Sequence, residues 1–256
     1  DHQFSGSDEE RANDLQSLID DPEVKAILFA RGGYGCVRLI DRVDFSSLDN
    51  HPKWLIGFSD MTVIHSHLNV HHQLCSLHAP MIINLMKDKR NEEAASAMID
   101  FLTGKNIRYS ENGSNGFNRK GTAEGELVGG NLSLLYALAG TPSDISTEGK
   151  ILFIEDLDEY LYHIDRMMMQ LKRSGKLKNL KGLIVGGMSD MRDNTIPFGK
   201  SAVEIISEAV AEYNYPVCFD FPSGHIDRNL PLALGAKVKL EVGDKVELTF
   251  LYESAS

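Results

Sequence analysis

Positive charge is scarce in this chain: 26 Lys and Arg stand against 37 Asp and Glu, a formal net charge of −11. A polyanion meets net repulsion from that field, and no basic cluster interleaved with aromatics reverses it locally, so nucleic acid is excluded as a partner. Cysteine is equally sparse. The three residues Cys36, Cys75 and Cys218 are far apart, odd in number and never spaced as CxxC, which excludes a disulfide framework and leaves reduced core thiols. No apolar run approaches the roughly 18 residues that a membrane span needs, so no membrane protein is expected. No cluster of His, Cys and acids has metal-ligand spacing, and none is expected to bind a metal. The G-x-G-x-x-G fingerprint and a following ribose-binding acid are both missing, which sets aside a dinucleotide site. Asp1-His2-Gln3 has no signal-peptide character.

What is present is ordinary for a folded protein. The 256 residues are 42% hydrophobic and 25% charged, enough to bury a substantial core in one or two domains. Helical and strand patterns alternate as a parallel α/β sheet requires. Residues 9–19, 61–70 and 91–102 read as amphipathic helices, residues 24–30 and 54–58 as buried strands, and residues 37–42 as a helix start. Residues 77–83 read as a short strand or loop. Residues 109–125, rich in Ser, Asn, Gly and Lys, read as a linker. Beyond them, strands are expected at 150–155 and 183–187 and helices at 132–139, 162–174 and 200–213. The end differs: strands at 217–221, 233–241 and 245–252, with Gly-containing turns between, predict antiparallel character.

The segment Trp54-Leu55-Ile56-Gly57-Phe58-Ser59-Asp60-Met61-Thr62 runs from an apolar strand through a small-residue turn into a helical pattern. Such a turn pushes a serine side chain out, and N–H groups at the new helix start can hold an oxyanion. The hydrolase elbow G-x-S-x-G is not matched, and a plain Ser-Asp helix cap competes with the nucleophile reading. A serine needs a base and an orienting acid. His225, in the turn Pro222-Ser223-Gly224-His225, and Glu155, at the end of the apolar strand Ile151-Leu152-Phe153-Ile154, are the candidates, because α/β folds place active groups at the carboxyl ends of strands. For Glu155 a capping or ion-pair role competes. His71 and His72 suit the end of a helix, and His65 and His67 lie on the helix after Ser59. The loop Arg31-Gly32-Gly33-Tyr34-Gly35 lets backbone N–H groups approach a ligand closely.

Taken in order, Ala30-Arg31-Gly32-Gly33-Tyr34-Gly35, Ile56-Gly57-Phe58-Ser59-Asp60, His78-Ala79-Pro80-Met81, Gly129-Gly130-Asn131-Leu132, Phe153-Ile154-Glu155-Asp156 with Asp165-Arg166, and Gly224-His225 resemble the LD-carboxypeptidases, serine peptidases that include the microcin C immunity proteins. The resemblance implies an α/β protein: an N-terminal flavodoxin-like, class I glutamine amidotransferase-like domain (1–108), a linker (109–121) and a C-terminal mixed α/β domain with antiparallel strands (122–256). It implies Ser59 as nucleophile, His225 as base and then acid, and Glu155 as the residue that orients the imidazole. The N–H groups of Asp60 and Gly33 would form the oxyanion hole. Arg31, Gly32 and Tyr34 would line the substrate, with a loop-bracing role for Arg31 weighed equally.

The implied substrate is a murein tetrapeptide that loses its terminal D-alanine in cell-wall recycling. The implied enzyme is a cytoplasmic homodimer without cofactor, metal, nucleic acid or membrane partner. The alternatives are an immunity-type peptidase that cleaves aminoacyl or peptidyl nucleotide amides and a non-catalytic muropeptide-binding protein. The short linker and the single tryptophan, Trp54, favour the carboxypeptidase branch. The family pattern has a further strand and helix ahead of the position matching Asp1, and their absence would remove part of the substrate cleft.

Overall fold

The computed structural model describes residues 4–86 and 91–251. The first helix, α1 (Asp8–Asp20), starts where Ser7 and Glu10 form a reciprocal capping box, with Asp8, Glu9 and Glu10 at the positive end of the dipole. Its buried residues Ala12, Leu15 and Ile19 fall on one stripe. Three short parallel strands follow: β1 (Ala26–Leu28), β2 (Trp54–Gly57) and β3 (Ser76–His78). Between and after them run α2 (Cys36–Leu39), α3 (Thr62–His72), α4 (Ile82–Leu85) and α5 (Glu92–Leu102).

The second sheet has seven strands. β4 (Arg108–Asn112), β5 (Gly121–Asn131), β6 (Ile151–Leu157), β7 (Gly182–Ser189), β8 (Val217–Cys218), β10 (Lys237–Val242) and β11 (Lys245–Phe250) lie in the order β4-β11-β10-β5-β6-β7-β8. Helices α6 (Leu132–Leu138), α7 (Leu161–Arg173) and α8 (Ala202–Ala209) lie along its parallel part. The long strand β5 belongs to both regimes. Residues 121–126 pair antiparallel with β10 and only Ala123 among them is buried, whereas residues 127–131 pair parallel with β6 and are buried throughout. That contrast is physical, since a parallel strand covered on both faces must be apolar along its whole length.

Two expectations are corrected. Residues 109–125 are not all linker: they contain most of β4 and the start of β5, and only residues 113–120 connect. β4 is an edge strand with Tyr109 buried and its neighbours exposed, so its polar composition hides a strand. Residues 233–241 are not one strand. β9 (Leu232–Leu234) pairs antiparallel with β3 in the first sheet, Gly235 turns at φ 91°, and β10 enters the second. The expected strand 245–252 is β11, and Tyr252 lies outside the described residues.

Because β9 comes from the far end of the chain, the order of the first sheet is β1-β2-β3-β9. The core crosses the sheets in the same way. Ile56, Leu77 and Phe101 share one buried cluster with Phe153, Ile184, Leu240 and Phe250.

Candidate active site

The turn after β2 is strained where the chemistry is expected. Phe58 is extended, and Ser59 then sits at φ 65°, the left-handed region, where a non-glycine residue costs roughly 1–2 kcal/mol. One 3-10 turn (Ser59–Met61) leads into α3. A Cβ at Gly57 would come within 2.8 Å of Met61 Cγ, so a side chain there would force Met61 to shift. Asp60 is buried and its Oδ2 accepts the backbone N–H of Cys36 at 2.8 Å, which ties the turn to the end of the glycine loop. The loop passes directly over the serine: a Cβ on Gly32 would lie 3.3 Å from Ser59 Oγ. Gly33 and Gly35 have φ values of 135° and 129°. Arg31 is exposed and its Nε donates to the Gly32 carbonyl at 3.3 Å. Tyr34 is 54% exposed and packs on Phe4, 5.9 Å between ring centres.

Glu155 and His225 meet. The β6–β7 register shifts between Ile154 and Asp156, with the extra residue on β7, while Glu155 stays paired with Asn131 of β5. Its side chain is 0% exposed, and Oε2 accepts both His225 Nδ1 at 2.7 Å and the His225 backbone N–H at 3.0 Å. With a carboxylate as partner, Nδ1 carries the proton and Nε2 is left as the basic nitrogen. Gly224 is required by both conformation and space, since φ is 108° and a Cβ would lie 2.6 Å from Glu155 Oε2. The imidazole packs on Phe58, 4.7 Å between ring centres, which puts His225 beside the residue preceding Ser59. Burial pulls the His225 pKa down, but the hydrogen bond and charge of Glu155 outweigh it and lift the group above 6.5.

A polar contact joins the two halves. The Asn131 N–H donates to Thr62 Oγ1 at 2.9 Å, and a Cβ on Gly130 would lie 2.6 Å from that oxygen. Asn131 in turn donates from Nδ2 to Asp156 Oδ1 at 2.9 Å, and Asp156 Oδ2 accepts the Ser133 N–H at the start of α6, also at 2.9 Å. Burial pushes the Asp156 carboxyl up to about 7, against the lowering effect of the Leu157 N–H. Thr62 and Asp156 were not assigned roles from sequence. The available signal was a pair of adjacent acids ending an apolar strand, whose two side chains must face opposite sides of the sheet.

Two regions of the chain match family models: residues 1–79 the LD-carboxypeptidase N-terminal domain, and residues 124–240 the LD-carboxypeptidase C-terminal domain. The chain belongs to the LD-carboxypeptidase family. It is 36% identical to the "Probable murein peptide carboxypeptidase" of Bacillus subtilis, across 94% of this chain and 76% of that protein. It is 30% identical to the murein tetrapeptide carboxypeptidase of Pseudomonas aeruginosa, across 93% and 79%. The crystal structure of muramoyltetrapeptide carboxypeptidase from Oxalobacter formigenes superposes with a TM-score of 0.90 at 29% identity, covering 99% of this chain and 88% of that one. The microcin C7 self immunity protein MccF shares the fold, with a TM-score of 0.86 at 21% identity over 98% and 83%.

Four further histidines, His65, His71, His72 and His78, make contacts that hold the fold. His65 is buried between Ser76 Oγ at 2.7 Å and the Gly57 carbonyl at 2.9 Å, and burial lowers its pKa to about 4, so it braces the end of β2 as a neutral ring. His78 is held well below 6.5 by burial and packs edge-on against Phe153 and Phe58. His71 and His72 end α3, bonded to the Pro142 carbonyl and to Asp49. Among the described residues no group of three or more His, Cys, Asp or Glu could hold a metal ion, and no helix is long and apolar enough to cross a membrane.

Proposed function

We propose that this chain is a serine carboxypeptidase that removes the terminal D-alanine of murein tetrapeptides, with Ser59, His225 and Glu155 as its catalytic residues. The observation that supports this reading most is the buried Glu155–His225 pair resting on Phe58, next to the strained turn of Ser59. Ser59 Oγ attacks the carbonyl carbon of the L-centre while His225 Nε2 takes its proton. The oxyanion receives the N–H groups of Asp60 and Gly33. His225 then protonates the D-alanine amine, and water, deprotonated by the same nitrogen, resolves the acyl-enzyme. Glu155 stabilises the imidazolium through both steps.

Arg31, Gly32 and Tyr34 line the substrate in this reading, with Arg31 placed for the terminal carboxylate. The reading takes the enzyme to be a cytoplasmic homodimer. The test is mass spectrometry of a murein tetrapeptide digest beside an aminoacyl sulfamoyl nucleotide. Loss of one D-alanine, absent in Ser59→Ala, is expected. An intact tetrapeptide with a cleaved nucleotide substrate would move the chain to the immunity branch.

A further inference from the structure

We infer that Arg228 is a positioning residue for His225, an inference that rests on His225 being the general base. The loop that carries His225 is closed at its inner limb by backbone and amide bonds. Gly224 N–H donates to Asn229 Oδ1 at 2.8 Å, Leu230 N–H to the Pro222 carbonyl at 2.7 Å, and Ser223 Oγ to the Leu230 carbonyl at 2.9 Å. Arg228 carries the outer limb, three residues beyond His225. Its guanidinium makes two forks at once: Nε and Nη2 to Glu93 at 2.7 and 2.9 Å, and Nη1 and Nη2 to Glu111 at 2.6 and 2.8 Å.

Glu93 lies in the first turn of α5 and Glu111 in β4. The loop of the base is thereby referenced to a helix of the first half and to the edge of the second sheet together. An isolated exposed ion pair contributes about 0–1 kcal/mol, but a doubly bidentate network fixes direction as well as distance. Direction is what His225 needs. Glu155 Oε2 holds one edge of the ring, and the loop decides where Nε2 points. A lysine could keep the charge at this position without reproducing either planar fork.

The experiment compares the full-length protein with Arg228→Ala, Arg228→Lys and the Glu93→Gln/Glu111→Gln double variant, which keeps Arg228 should its loss impair folding. Three quantities are read: kcat and KM on the tetrapeptide across pH, the thermal midpoint, and the NMR titration of the His225 ring without substrate. Arg228→Ala and Arg228→Lys should each lower kcat by about 10-fold or more with KM within about two-fold, as a misplaced base does. The His225 titration should move down towards 6.5 as the Glu155 contact loosens, and the double variant should share that shift. Folded variants with wild-type kcat and wild-type His225 titration overturn the inference. So does a kcat loss that vanishes when each protein is assayed equally far below its own thermal midpoint. His225→Ala separates the two levels: if it turns over normally, the role of His225 fails, whereas the NMR titration still reports on the clamp.

Discussion

Ser59 has a backbone cost and no core to repay it. It is partly exposed, sits at φ 65°, and is followed by the first turn that leads into α3. Ser59→Ala should abolish turnover, with losses of about 10³-fold or more, while leaving circular dichroism unchanged. Ser59→Gly should be equally inactive yet more stable than the alanine variant by roughly 1 kcal/mol in chemical denaturation, because glycine accepts the left-handed conformation freely. A tetrapeptide-active alanine variant would remove Ser59 from the mechanism. In the proposed mechanism His225 is the base and sets the pH dependence. The base works neutral, and Glu155 raises its pKa above 6.5 in spite of burial, so kcat/KM should rise with pH to a plateau whose midpoint lies above 6.5. Glu155→Gln should move that midpoint down. The linkage has the opposite sense for stability: a raised folded pKa makes the charged pair stabilising below about 6.5, and that contribution is lost as pH rises through the folded value. A rate flat down to about pH 4 would point to a different base. The positions of these three candidates were readable because each stands at a strand end or glycine turn. Thr62 and Asp156 were not, since nothing in a one-dimensional pattern says which hydroxyl meets which N–H across two sheets.

At the scale of elements, the site depends on the end of β5 touching the start of α3. Thr62 is fully buried and its hydroxyl accepts the Asn131 N–H. Thr62→Val keeps the shape and leaves that N–H without a partner, so it should cost about 1–3 kcal/mol in urea titration and slow turnover as well. Unchanged stability would show that the contact is not a fastening. Gly224→Ala is a harsher case, since its Cβ would lie 2.6 Å from Glu155 Oε2 at a φ of 108°. Most strands and helices were readable from periodicity, because parallel strands buried on both faces leave continuous apolar runs such as Ile151-Leu152-Phe153-Ile154. Edge strand β4 was not, because only Tyr109 of its five residues is buried. The break at Gly235 was also hidden: β9 and β10 are both apolar enough to read as one strand, and only tertiary pairing sends them to different sheets.

The whole molecule is more entangled than a nucleophile domain joined to a base domain. β9 closes the first sheet from the C-terminal end of the chain, and Phe101 meets Phe250 edge-on at 4.9 Å between ring centres. Removing either half therefore exposes a strand edge and one side of a shared core, beyond separating Ser59 from His225. Residues 1–108 made alone should lack a cooperative thermal transition, because β3 loses β9 on one side and Ile56, Leu77 and Phe101 lose the cluster that covers them. Residues 122–256 keep β5–β8, β10 and β11 but leave β9 and the edge of β11 unpaired. Neither piece holds both Ser59 and His225, and proton transfer in the proposed mechanism needs heavy atoms within roughly 2.6–3.2 Å, so each should be inert towards the tetrapeptide. Thermal melts followed by circular dichroism and a D-alanine release assay on each piece check both halves of this expectation. Hydrolysis by residues 122–256 alone would mean that the attacking group lies in that half, and that Ser59 takes no part in the chemistry.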